Sequence, residues 1–257
     1  MKPPGENIAG AIHAATARGK PALIAFLTAG FPTKPAFQDA LAQAAEVADV
    51  IEVGVPFSDP MADGLTIQHS SRIALEQGTT LEWTLSAIAA GRPTRSAPVL
   101  LMSYLNPLLS FGTAQLAVNA RQAGVSGFII PDLPFEECAE LRQGFDAEGL
   151  ALVQMVTPVT PQPRLALLAR ESRGFIYAVT MTGTTGHAVS AGSELLDYLR
   201  RIREVAALPV CAGFGIRSAA QVAALSGHVD GCIVGSALVE VLGHGQDVAA
   251  FLRGLRE

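Results

Sequence analysis

The residues best suited to do chemistry lie in the run Ile51-Glu52-Val53-Gly54-Val55-Pro56-Phe57-Ser58-Asp59-Pro60-Met61-Ala62-Asp63. Glu52 falls inside a stretch, Asp49 to Val55, that otherwise reads as a buried strand. Keeping a carboxylate charged there costs several kcal/mol, roughly, unless partners or a shifted pKa compensate. Chemistry is a common reason to tolerate such a group. The plain alternative is a Glu paired with a nearby Lys or Arg at the rim of a sheet or barrel. Asp63 follows eleven positions later, in a Pro- and Asp-rich loop that can fold back and bring both carboxyl groups to one substrate. An apolar pocket would raise the pKa of Glu52 and let it exchange protons near neutrality, while Asp63 in a more solvated loop would stay ionised. Asp59 competes for the second role, but its place between Ser58 and Pro60 suits turn capping.

A second group of residues points to an anion. Gly213-Phe214-Gly215-Ile216 follows one apolar run, and Gly235-Ser236 follows the next and opens a helical stretch. Glycine lets backbone approach a ligand closely, and N–H groups at a helix start supply donors. Thr185-Gly186 in the preceding loop adds a third set. Glycines also serve tight turns, but three such sites in consecutive loops favour phosphate. The tract Thr180–Gly192 carries four Thr and four Gly or Ser with no apolar period. It suits a lid that excludes water, with disorder as the alternative.

Other chemistries fit poorly. No His spacing suits a metal, although His69 and His187 fall near the loops just described. No Ser-His-Asp order or G-x-S-x-G elbow occurs. The three lysines, Lys2, Lys20 and Lys34, stand near the N-terminus and away from strand ends, which argues against Schiff-base aldolase chemistry. Trp83 is expected to pack on a helix face.

The elements that must position these residues alternate regularly. Strands are expected at Ala22–Leu27, Asp49–Gly54, Pro98–Ser103, Gly127–Pro131, Leu150–Val156, Gly174–Val179, Pro209–Ala212 and Gly231–Val234. Helical period marks Pro35–Glu46, Ile67–Gln77 with Leu81–Ala90, Thr113–Ala123, Glu136–Glu148, Pro161–Arg170, Ser193–Val205, Ala219–Leu225 and Ala237–Leu255, with one more helix at Ile8–Ala17. Near-continuous apolar strands, each followed by a helix, imply parallel pairing through crossovers. Eight such units in 257 residues predict an α/β fold of the (β/α)8 TIM-barrel type with an additional N-terminal helix. No linker, charge block or low-complexity tract divides residues 1–257, so one domain is expected. The unusual residues sit in the strand-to-helix connections, the face on which barrels build active sites.

Composition narrows the class further. The chain is 49% hydrophobic, and its formal charge of −5 with no Lys/Arg cluster argues against a nucleic-acid surface. No signal-peptide core or membrane-length apolar run is present. Cys138, Cys211 and Cys232 form no C-x-x-C, and Cys211 and Cys232 lie in apolar runs as core residues do. A reducing cytoplasm is the expected location.

With these residues in view, the chain resembles the tryptophan synthase alpha subunit family over nearly its whole length. The segment Glu52–Gly64 carries the most specific likeness, supported by Phe26-Leu27-Thr28-Ala29-Gly30, Pro131-Asp132-Leu133-Pro134, Gly183-Thr184-Thr185-Gly186, Gly213-Phe214-Gly215-Ile216 and Ile233-Val234-Gly235-Ser236-Ala237. The resemblance implies retro-aldol cleavage of indole-3-glycerol phosphate to indole and glyceraldehyde 3-phosphate. It implies Glu52 and Asp63 as the catalytic acids, with Glu52 moving protons and Asp63 meeting the indole N–H. Phe26, Met102 and Tyr104 would surround the indole, and Tyr177 would stand by the glycerol chain. Thr185, Gly186, Phe214, Gly215, Gly235 and Ser236 would hold the phosphate. No cofactor is implied in this chain. Pyridoxal phosphate (PLP) would belong to a beta partner, in an assembly of two alpha and two beta chains.

The chain departs from the family pattern at Leu65, commonly Pro, at His69-Ser70-Ser71, usually small and apolar, at Thr184, usually Val, and at His187. These fall in loops where the family contacts its beta subunit. A lyase acting alone, or a barrel that binds ligand and serves as an allosteric partner, are the alternatives this leaves.

Overall fold

The computed structural model describes residues 3–91, 96–180, 192–213 and 215–257. Its centre is a closed barrel of eight parallel strands in sequence order: β1 (Ala22–Thr28), β2 (Val50–Gly54), β3 (Val99–Met102), β4 (Val125–Ile129), β5 (Ala151–Val156), β6 (Ile176–Val179), β7 (Val210–Gly213) and β8 (Gly231–Val234). β1 closes the ring by pairing with β8, Ile24 opposite Ile233. A parallel barrel of this kind is the TIM-barrel architecture expected from the alternating pattern.

The period of two along each strand decides which side chains face the lumen. On β1, Leu23, Ala25 and Leu27 pack outward in the main cluster beneath the helices, while Ala22 and Ile24 join a separate inner cluster. Phe26 therefore continues the inward set. On β2, Ile51 and Val53 face the helices and Val50 faces the lumen, so Glu52 is inward by phase. The same alternation turns Met102, Tyr177 and Ile233 inward. Phe26 and Glu52 are register partners across β1 and β2.

The lower lumen is filled rather than hollow. Helix α1 (Glu6–Thr16) inserts fully buried Ile8 and Ile12 among Ala22, Val50, Ala151 and Phe175. This plug leaves the opposite end, where the strand-to-helix loops gather, as the end that can hold a ligand.

The outer helices are α2 (Lys34–Val47), α3 (Leu65–Glu76), α4 (Leu81–Ala90), α5 (Leu105–Phe111), α6 (Thr113–Ala123), α7 (Ala139–Ala147), α8 (Gln162–Glu171), α9 (Ser193–Arg203), α10 (Ala219–Leu225), α11 (Ser236–Gly243) and α12 (Val248–Gly254). Three differ from the sequence expectation. α5 occupies a stretch whose Asn106-Pro107 reads as loop, but Pro107 lies in the first turn, where a missing N–H breaks no bond. The single helix expected over Ala237–Leu255 divides at His244–Asp247, where Gly245 has φ +68° and the Asp247 side chain accepts from Ala250 N–H at 2.8 Å to start α12. The stretch Glu136–Glu148 opens with a short 3₁₀ turn, Phe135–Glu137, ahead of α7.

Candidate active site

Glu52 stands near the C-terminal end of β2, 1% exposed, and neither carboxylate oxygen has a hydrogen-bond partner among the described residues. The rim ion pair that was its structural alternative is absent there. Burial pushes the Glu52 pKa from 4.5 to about 8, and the nearby Asp63 carboxylate adds to the rise. The group is therefore largely protonated at neutral pH.

Asp63 belongs to the loop between β2 and α3. That loop is held by backbone turns, with Asp63 N–H donating to the Pro60 carbonyl at 3.1 Å and the Gln68 side-chain amide donating to the Asp63 carbonyl at 2.8 Å. Burial raises the Asp63 pKa to about 6, opposed by a hydrogen bond from the Tyr104 hydroxyl. The loop is less solvated at this point than the sequence suggests, yet Asp63 remains mostly ionised at pH 7. Asp59 is exposed and takes the Ser58 hydroxyl, in keeping with a turn-capping role.

Both carboxyl groups line one cavity with Phe26, Ile67, Met102, Tyr177, Gly215, Ile233, Gly235 and Ser236. It encloses about 420 Å³ counting its open mouth, of which only about 40 Å³ is room for a water-sized body between the described walls. Eight of the residues picked out in the sequence meet here. Tyr104 stands behind Asp63 rather than among the lining residues, its hydroxyl accepting from Ala62 N–H at 2.9 Å and its ring 5.3 Å from that of Phe57. Asp132 sets the start of α5 next to it by accepting from Leu105 N–H at 2.8 Å. Thr185, Gly186 and Phe214, with most of the tract Thr180–Gly192, lie outside the described residues.

Ile67 and Ile233 were missed by sequence reasoning. Their only signal was position: Ile233 alternates inward on β8, and Ile67 lies in the first turn of α3, four residues past Asp63. The apolar walls, with the Phe26 and Tyr177 rings among them, suit a flat aromatic ring. At the other end, Gly215 holds φ +83°, a conformation that favours glycine, and Gly235 precedes Ser236 at the start of α11. Backbone at such a helix start can hold an anion.

The remaining sequence candidates have structural roles. His69 is exposed and contacts Arg72. Ser70 and Ser71 are buried, and Ser70 shares a 2.7 Å hydrogen bond with Thr28 while donating to the Ile67 carbonyl at 2.9 Å. That bond fastens α3 to β1, so this departure from the family pattern is a packing solution. Trp83 packs against Phe37, with the Lys34 ammonium over its ring. The three cysteines are buried and free. Among the described residues, no group of three or more His, Cys, Asp or Glu could hold a metal, and no helix is long and apolar enough to cross a membrane.

Comparison with known proteins agrees with this geometry. A family model described as tryptophan synthase alpha chain matches residues 12–253. The chain is 45% identical over 247 residues to the tryptophan synthase alpha chain of Nitratidesulfovibrio vulgaris strain DP4, covering 96% of each. It is 40% identical over 258 residues to that of Geobacter sulfurreducens, covering 98% of each. Among solved structures it is similar to tryptophan synthase from M. tuberculosis in an aminoacrylate-bound form, with TM-score 0.88, 32% identity and 97% of each chain covered.

Proposed function

The chain belongs to the tryptophan synthase alpha chain family and is a lyase of tryptophan biosynthesis that cleaves indole-3-glycerol phosphate; from that premise we propose that Glu52 and Asp63 are its catalytic pair. The observation that carries the proposal is a buried Glu52, without a hydrogen-bond partner among the described residues, sharing one largely apolar cavity with an ionised Asp63.

The bond to be broken joins indole C3 to the glycerol carbon that bears a hydroxyl. Protonating C3 gives an indolenine that can accept the bonding electrons. Glu52, held protonated by burial, delivers that proton. Its conjugate base then takes the proton of the adjacent hydroxyl. The oxygen forms the aldehyde of glyceraldehyde 3-phosphate, the carbon–carbon bond opens, and its electron pair restores the aromatic indole. Asp63 accepts a hydrogen bond from the indole N–H and stabilises the positive charge that develops there. Proton transfer by a positioned group contributes roughly 10²–10⁴-fold.

In this reading Phe26 and Met102 hold the indole, Tyr177 borders the glycerol chain, and Tyr104 acts through Asp63. Backbone at Gly215, Gly235 and Ser236 holds the phosphate, joined by Thr185, Gly186 and Phe214. Every proton transfer has a side chain in this chain, so the reaction calls for no cofactor here. The pyridoxal phosphate resides in the beta partner. We place the complex at two alpha and two beta chains in the cytoplasm, with residues 1–257 as one domain. Met61 and Leu65, both 79% exposed beside the site, supply apolar surface for that partner. The family assignment does not favour an unpartnered lyase or a non-catalytic barrel.

The test is indole release from indole-3-glycerol phosphate by the unsubstituted chain and by Glu52→Gln, alone and with beta subunit titrated in. Loss of at least a hundredfold in Glu52→Gln, with the fold retained by circular dichroism, supports the assignment. Near-normal turnover by that variant removes Glu52 from the mechanism.

A further inference from the structure

We propose that Glu240 is a positioning residue that links the phosphate end of the site to the segment bearing Asp63. The proposal rests on the reaction described above and deepens it. Glu240 lies on α11 four residues past Ser236, one turn along the helix. Its Oε1 accepts from the Thr66 hydroxyl at 3.2 Å and from Arg217 Nη1 at 3.4 Å, while Oε2 pairs with Arg217 Nη2. Thr66 is three residues beyond Asp63, in the first turn of α3. Arg217 is two residues beyond Gly215, and its backbone N–H donates to the Gln221 side chain at 2.7 Å, which anchors that loop to α10.

One carboxylate therefore joins the three segments that frame the cavity: the glycine turn after β7, the helix start at Ser236, and the helix that follows the catalytic loop. An isolated, partly exposed ion pair adds little to stability. Two partners on different elements, however, fix a relative placement that neither bond fixes alone. Phosphate held by the backbone at Gly215 and Ser236 settles the β7 turn and α11. Through Glu240 it also sets the first turn of α3, and with it Asp63. The phosphate group, remote from the bond that breaks, thereby contributes to kcat and not only to affinity.

The test uses the full chain, alone and with beta subunit, carrying Thr66→Val, Thr66→Ser, Glu240→Ala or the Thr66→Val/Glu240→Ala pair. Three quantities are read: kcat for indole release, inhibition by glycerol 3-phosphate as a probe of the phosphate end, and melting temperature. Thr66→Val is expected to lower kcat fivefold or more while inhibition by glycerol 3-phosphate stays within twofold and melting is unchanged. Thr66→Ser, which keeps the hydroxyl, restores turnover. The double variant is no slower than Glu240→Ala, because both changes cut the same link. A kcat within twofold of normal in Thr66→Val and Glu240→Ala overturns the proposal. So does additive loss in the pair, or loss that follows a fall in melting temperature. If the unsubstituted chain is inhibited by nothing and releases no indole under either condition, the reaction assignment itself fails, and this proposal with it.

Discussion

The Tyr104 hydroxyl accepts a hydrogen bond from the Ala62 backbone N–H at 2.9 Å and hydrogen-bonds the Asp63 carboxylate beside it. A single phenol at the end of β3 thus holds both the backbone and the side chain of the loop that follows β2. The ring is itself seated by Phe57, and the helix start that follows it by Asp132, which accepts from the Leu105 backbone N–H.

Tyr104→Phe removes that hold while keeping the ring. Asp63 loses the one interaction that opposes the rise in its pKa, so its ionisation should move further above 6. A hydrogen bond to a charged group is worth about 1.5–3 kcal/mol, so kcat/KM should fall roughly ten- to hundredfold. Steady-state kinetics across pH check both the size of the loss and the alkaline displacement of the acid limb. An unchanged profile would return Tyr104 to simple packing.

The pH dependence of the unsubstituted chain follows from the two shifted groups. Asp63 must be ionised and Glu52 protonated in the free enzyme. The kcat/KM profile should rise through about 6 and fall above about 8. The substrate phosphate also ionises near 6, so the alkaline limb is the diagnostic one. Absence of a fall between pH 7.5 and 9 would contradict a protonated Glu52.

Glu52 also marks a stability cost. Unfolded, it titrates at 4.5; folded, at about 8. Between those values the folded chain binds more protons than the unfolded one, so stability falls as pH rises through the window and levels off above it. Over the whole interval the loss amounts to at most about 5 kcal/mol, and Asp63 acts in the same direction. Glu52→Gln should show a flatter decline in urea midpoint from pH 5 to 8.5 and should be the more stable protein at pH 8. Parallel declines in the two proteins would sink this account.

Much of this was legible in the chain because it depends on local periodicity. The eight strands, the inward phase of Glu52 and the glycine turns after β7 and β8 all follow from apolar spacing. What was not legible depends on pairs distant in sequence. Ser70 looked out of pattern until Thr28, 42 residues away, supplied its partner. Tyr104 read as a wall of the pocket because nothing in its neighbourhood reveals that Ala62 lies over its hydroxyl. α5 was hidden by Pro107, whose effect depends on whether it sits in a first turn or an interior one.

Leu65 and Met61 give the partner surface a direct test. Leu65→Glu, placed on a side chain 79% exposed, should leave turnover by the isolated chain within twofold. A charge buried in an interface should weaken association with beta subunit about tenfold or more, read by titration of the stimulated rate. Unaltered stimulation would move the docking face elsewhere.

Gly54 and Phe26 meet closely beside the cavity. A methyl group at Gly54 would stand 2.5 Å from the Phe26 ring, so the ring must move, and the cavity it lines is the open direction. Gly54→Ala should therefore raise KM by tenfold or more and cost about 1–3 kcal/mol in stability, as overpacking does. Gly144, inside α7, is the control: a methyl there meets nothing within 4 Å. Gly144→Ala should gain roughly 0.5–1 kcal/mol from helix propensity alone and leave KM unchanged. Equal effects of the two substitutions on KM would show that the Phe26 ring does not define the indole end of the site.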